Sequence, residues 1–212
     1  MKHTLLLGLL AIAPVFLSAQ SPWARSKAGI YAQLSFQTIP TYGALFGKDG
    51  EDIEMVRLVS ESAVQFYGEY GITARTTAVV SLPYRFNKRG ADNPNQMLSF
   101  AQVDTGTISG LGNASLAIRH QILTGGPVAL AGTLRVDLPA GAGQPTAGLR
   151  TGFEALTIQP TLSVGMGFGK FYWFAYGGYA VRTNDYSHFV NGGAEAGAAL
   201  GPIWVSAFTD LV

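Results

Sequence analysis

The sequence predicts an all-β fold: an antiparallel sheet that forms a membrane-spanning β-barrel. Three observations carry this prediction. First, the stretch from Leu156 to Arg182 alternates with a period of two through both arms of a hairpin. Leu156, Ile158, Pro160, Leu162, Val164, Met166 and Phe168 face one way, and Thr157, Gln159, Thr161 and Ser163 the other. Gly169-Lys170 supplies the tight turn, and the second arm alternates again from Phe171 to Arg182. Its aromatic cluster follows the turn directly, where a membrane interface collects such rings. Each arm exceeds the roughly 9–11 residues that a tilted strand needs to cross a bilayer. Second, charged residues are 13% of the 212, about half the ~25% usual in soluble domains. No window reaches the ~18 consecutive apolar residues of a membrane helix. A barrel explains both facts, because its lipid-facing residues alternate with interior ones. Third, the connections between strands alternate between short and long, as outer-membrane barrels require. A soluble β-sandwich, the competing all-β fold, has no reason to segregate its loops by length.

Taken in order, residues 1–19 read as a cleaved secretory signal. Lys2 and His3 form the basic start, Leu5 to Leu17 the apolar run, and Ser18-Ala19-Gln20 the small-residue site. The barrel domain is then 20–212, starting near Gln20 with a short polar lead. Strands are expected at Lys27–Gln37, Met55–Tyr70, Thr76–Phe86, Leu111–Leu123, Val128–Leu138, Leu156–Phe168, Phe171–Arg182, Val190–Leu200 and Ile203–Val212. Gly71–Arg75, Thr124–Pro127, Gly169–Lys170 and Gly201–Pro202 are short turns. The long loops are 38–52, 87–110, 139–153 and 183–189. Pro83 weakens the ladder of its strand, and the eighth strand is Gly/Ala-rich and weak. The count is eight or nine strands. Single-chain bacterial barrels close with an even number, which points to a sequence truncated at its C-terminus and a complete barrel of 10–12 strands.

The formal charge is +1, so bulk electrostatics indicate no nucleic-acid partner. Cysteine is absent, which excludes disulfides, thiolate metal sites and a cysteine nucleophile. The glycines of 165–170 lack the spacing of a phosphate loop, and no G-x-S-x-G elbow occurs. His3 leaves with the signal, His120 lies in a strand and His188 in a loop, which assembles no catalytic group or metal site. Asp49, Glu51, Asp52 and Glu54 form an acidic cluster without EF-hand spacing; it reads as a solvated loop. No enzyme, cofactor or metal is expected.

Phe66-Tyr67-Gly68-Glu69-Tyr70-Gly71-Ile72-Thr73-Ala74-Arg75, followed by Val80-Ser81-Leu82-Pro83-Tyr84, resembles the "YGLTDR … LPY" run of a family of outer-membrane proteins labelled for a MetA pathway of phenol degradation. Gly110-Leu111-Gly112-Asn113 resembles that family's "GLGD", and Val136-Asp137-Leu138-Pro139-Ala140-Gly141 its "LPTG" corner. Asn113 stands where Asp is usual, and Ala140 where Thr is. The resemblance spans about residues 60–212. It implies a barrel related to outer-membrane channels for hydrophobic compounds.

Charges facing lipid near the midplane would cost about 2–4 kcal/mol each for Lys or Arg. Glu61, Gln65, Glu69, Arg119, Gln121, Arg135, Asp137, Gln159, Arg182 and Glu195 are therefore the expected lumen lining. They serve either as a selective passage or as a network that fills a narrow barrel. The expectation is a channel or transporter-like protein in the outer membrane of a Gram-negative bacterium. Its partners are outer-membrane lipid or lipopolysaccharide and a small hydrophobic, even aromatic, solute. The alternatives are a structural or adhesive barrel and a lipid-modifying barrel enzyme.

Overall fold

The computed structural model describes residues 21–46, 51–96, 103–139 and 141–211. The expected signal, residues 1–19, lies outside them. The chain forms β1 Ile30–Phe46, β2 Asp52–Gly71, β3 Thr76–Asp92, β4 Gly106–Leu111, β5 Ser115–Leu123, β6 Val128–Asp137, β7 Gly143–Gln144, β8 Leu149–Arg150, β9 Thr157–Phe168, β10 Phe171–Arg182, β11 Phe189–Leu200 and β12 Ile203–Leu211. One 3₁₀ turn, Pro145–Ala147, lies between β7 and β8. Among the described residues there is no α-helix.

The main sheet is antiparallel throughout and runs β1-β2-β3-β5-β6-β9-β10-β11-β12, with β4 also on β3. It curls into a trough like half a barrel. Among the described residues β1 and β12 each pair with one neighbour, so the sheet is open there.

Strand parity is what the alternation predicts, and burial follows it with the usual polarity inverted. Along β9, Thr157, Gln159, Thr161 and Ser163 are buried, while Ile158, Leu162 and Val164 are exposed. Along β5, Ser115, Ala117 and Arg119 are buried, and Leu116 and Ile118 exposed. The exposed apolar side continues through Leu34 and Phe36, Leu82 and Tyr84, Trp173 and Tyr179, and Ile203 and Val205. A belt of this extent far exceeds the few hundred Å² that soluble monomers expose. The concave side holds small, polar and charged groups, joined on β10 by the aromatic Tyr172 and Phe174.

The structure corrects several expected boundaries. β1 continues past Gln37 to Phe46, because register shifts between Ile39 and Ala44 absorb Pro40 and Gly43, which read as loop signals. β2 and β3 are correspondingly longer, at 20 and 17 residues. At roughly 3.3 Å per residue each is longer than a ~30 Å hydrocarbon core demands. The predicted strand Leu111–Leu123 is two pieces. β3 pairs with β5 from Thr76 to Ser81 and with β4 from Tyr84 to Arg89. The one-residue register change falls opposite Leu82-Pro83, where Gly112 N–H donates to Pro83 O at 2.8 Å. Pro83 thus sits where a missing donor does least harm. β11, expected at Val190–Leu200 as a weak strand, keeps those limits to within a residue and forms a full strand of 12 residues. Its inner face bears Asn191, Gly193 and Glu195.

Candidate functional site: a concave interior covered at both ends

Near the short turns, the segment Ser21–Gly29 crosses the trough instead of leaving it as a free lead. Ala28 N–H donates to Gly71 O at 2.7 Å, and Gly71 N–H to Gly29 O at 2.9 Å. Arg25 N–H donates to the Thr77 hydroxyl at 2.9 Å, and Ala24 N–H to Gln121 Oε1 at 3.1 Å. Pro22 is fully buried, and Trp23 meets Tyr172 and Phe174 edge-on at 6.2 and 6.1 Å between ring centres. The segment therefore touches inner positions from β2 to β10. Two glycines make room for it. A Cβ at Gly71 would collide with the Ser26 carbonyl, and one at Gly165 would lie 2.9 Å from Pro22 Cγ. Ala28 pays for the reversal into β1 with a left-handed φ of 61°.

A buried ionic cluster fastens this crossing. The Glu69 carboxylate accepts from Arg25 Nε at 2.5 Å, Arg119 Nη2 at 2.9 Å and the Tyr67 hydroxyl at 2.7 Å. Arg119 also donates to Ser21 O at 3.2 Å and to its hydroxyl at 3.3 Å. The Arg25 guanidinium lies over the Tyr31 ring at 4.6 Å. A carboxylate with two guanidiniums and a phenol has its lone pairs occupied, the condition under which a buried charge persists.

At the opposite end the predicted loop 139–153 folds inward. β7 and β8 form a small ribbon whose neighbours are β3 and β4. Thr151, fully buried, accepts from Ala142 N at 2.8 Å and donates to Leu111 O at 3.0 Å. Asn87 donates to Arg150 O at 2.6 Å. A Cβ at Gly106 would lie 2.7 Å from Ala147 Cβ, and one at Gly112 2.9 Å from Thr151 O. Asn113 clamps the base of the loop, donating to Leu138 O and Phe153 O at 2.9 and 2.7 Å and accepting from Phe153 N at 2.6 Å. An amide can do both; an ionised Asp could only accept.

The ten polar residues picked from the sequence share the concave parity but do not converge. Glu69 and Arg119 belong to the cluster under the crossing segment, and Gln121 holds that segment's backbone. Arg135 pairs with Asp137 on the same strand at 2.6 Å. Gln65 donates to the Ser81 hydroxyl at 2.7 Å, and Glu61 accepts from the Tyr42 hydroxyl at 2.7 Å. Gln159 is buried. Arg182 stacks over Phe189 at 4.3 Å, near the long-loop end. Glu195 accepts from the Tyr172 hydroxyl.

The histidines stand apart in local roles. His120 Nδ1 pairs with the Thr76 hydroxyl at 3.0 Å, and His188 Nδ1 accepts from Arg182 N at 3.1 Å. Of the acidic cluster, Asp49 lies outside the described residues and Glu54 accepts from Asn93 at 2.7 Å. No group of three His, Asp or Glu converges among the described residues. Sequence reading missed Trp23 and Arg25, which lie in a stretch too short for periodicity, and the ribbon residues. The signal for both segments was the run of small residues on the inner parity, above all Gly71, Gly106 and Gly165.

A long-stranded antiparallel sheet with an apolar outer belt and a polar, charged trough defines the class: the fold of outer-membrane β-barrels. Among solved structures the chain is similar to an outer-membrane channel from Pseudomonas putida F1, with a TM-score of 0.62 and 14% identity over 89% of this chain and 74% of that one. At that identity the likeness establishes the shared fold. No protein-family model and no curated protein matches the chain.

Proposed function

We propose that this protein is an outer-membrane β-barrel channel for small or hydrophobic solutes, akin to the barrels labelled for a MetA pathway of phenol degradation. One observation carries the reading: apolar side chains form the outside of the sheet, and hydrogen-bonded charges lie within. In water this arrangement would expose a whole belt of Leu, Ile, Val and aromatic side chains. In a bilayer each of those positions meets acyl chains, and only the concave side needs polar partners. The ten inner polar residues then line or fill the lumen. The crossing segment and the inward ribbon narrow it at its two ends. The likeness to a channel of known structure supports the reading through the fold.

This assignment places the protein in the outer membrane of a Gram-negative bacterium, against lipopolysaccharide, after cleavage of residues 1–19. N-terminal sequencing of protein from outer-membrane fractions is expected to begin near Gln20. Single-channel recording in planar bilayers, with liposome swelling beside it, tests transport. Small, discrete conductance steps are expected. A folded, membrane-inserted barrel that conducts nothing, either as the natural chain or with the crossing segment displaced, overturns the channel reading.

A further inference from the structure

Beside the crossing segment, at the short-turn end, the trough holds a cavity of about 380 Å³. Trp23, Tyr172 and Phe174 line it together with Ser21, Lys170 and, from β11, Glu195. Its aromatic wall is fixed on three sides. Tyr172 and Phe174 share the inner face of β10 and stack with ring centres 6.4 Å apart. Trp23 closes on both edge-on. On β11, Gly197 leaves the space the Tyr172 ring occupies, since a Cβ there would run into it.

Glu195 is the group that wall does not explain. It is 4% exposed, and its hydrogen-bond partner is the neutral Tyr172 hydroxyl. The other buried carboxylate, Glu69, meets two guanidiniums. No cationic side chain among the described residues comes within ion-pairing distance of Glu195, and Lys170 lines the same cavity without pairing to it. The Tyr172 hydroxyl engages Oε1, a carboxylate has further acceptor sites, and Glu195 lines the cavity, where a cation can meet it. Rings flanking such a carboxylate add attraction of their own for a positive charge, and that attraction grows as water is excluded.

We propose that this cavity binds a hydrophobic organic cation, a small ammonium ion on an aromatic or aliphatic body. The charge lies against Glu195 and the body against Trp23 and Phe174. The inference rests on the reading of this interior as a solute path and names the chemistry that path selects. A neutral hydrocarbon would fill the same walls but leave the carboxylate unmet. An anion would face it directly.

Calorimetric titration of the full chain, folded in detergent micelles, tests the site with benzylammonium, benzyl alcohol and benzoate. Benzylammonium is expected to bind saturably and about tenfold more tightly than benzyl alcohol, with benzoate weakest. Glu195→Gln is expected to erase the preference for the ammonium and leave benzyl alcohol unchanged. Equal affinities for ammonium and alcohol, tighter benzoate, or no saturable binding by protein with an intact sheet overturns the proposal. Should Glu195→Gln fail to fold, Trp23→Leu serves, since it changes the crossing segment and not the sheet. It is expected to weaken benzylammonium several-fold, and unchanged affinity overturns the aromatic assignment. Conductance of the same samples separates the two readings. Current without ammonium binding rejects the site alone, and ammonium binding without current rejects the channel alone.

Discussion

Arg119 on β5 and Glu69 on β2 meet at 2.9 Å across the intervening strand β3. The Arg119 side chain is 1% exposed and that of Glu69 6%, whereas Arg25, the other guanidinium on this carboxylate, is 40% exposed. The inner pair is therefore structural, and the outer one fastens the crossing segment.

Glu69→Ala strands Arg119 in a buried site without its counter-charge. The expected cost is about 3–5 kcal/mol. Arg25→Ala removes a solvent-screened partner and is expected to cost about 1 kcal/mol or less. The temperature at which the folded form is lost on a denaturing gel ranks the two. Equal losses would contradict this division of roles.

Gly71→Val places side-chain carbon where the Ser26 carbonyl now lies. The crossing segment is expected to leave the trough, with protease cleavage gained between residues 21 and 29 and conductance raised. Gly177→Ala, where an added Cβ meets nothing within 4 Å, is the control and should match the natural chain. Unaltered cleavage in Gly71→Val would show that the segment is held elsewhere.

Leu162, on the outer face of β9, is 55% exposed. Leu162→Lys is expected to cost about 2–4 kcal/mol in lipid if the position lies near the midplane, read as a lower folded fraction in vesicles. Thr124→Lys, in the turn between β5 and β6, should fold like the parent. If both variants fold equally well, the outer belt does not face acyl chains.

Asn113→Leu removes three hydrogen bonds at the base of the inward ribbon. The sheet should survive, since Asn113 lies in the break between β4 and β5. Limited proteolysis is expected to cut within 141–152 several times faster than in the parent. Retained resistance would place the anchor of the ribbon at Thr151 instead.

The sheet was legible from sequence wherever side chains alternate without interruption. The hairpin from Thr157 to Arg182 lies within a residue of its predicted limits, because Gly169-Lys170 punctuates it and each face keeps one character. Ends were misread where proline or glycine sits inside a strand. Pro40 and Gly43 read as loop, yet a bulged ladder carries β1 beyond them. The ten polar residues were drawn from one parity, since parity follows from spacing alone. Their partners were not legible. Nothing in the linear order brings Glu69 to Arg119, or Trp23 to Phe174; the curl of the sheet does that. The crossing segment has no periodicity because it forms no ladder. Its trace lies on the opposite wall, in the glycines that receive it.

Residues 21–29 come before every strand in the chain, yet their seat is assembled from β2, β3, β5, β9 and β10. This segment has no seat until the wall behind it stands. Maturation is expected to be stepwise, sheet first and occlusion afterwards. In a Trp173→Phe, Trp204→Phe background, Trp23 emission is expected to settle in a phase that lags the far-ultraviolet signal of the strands.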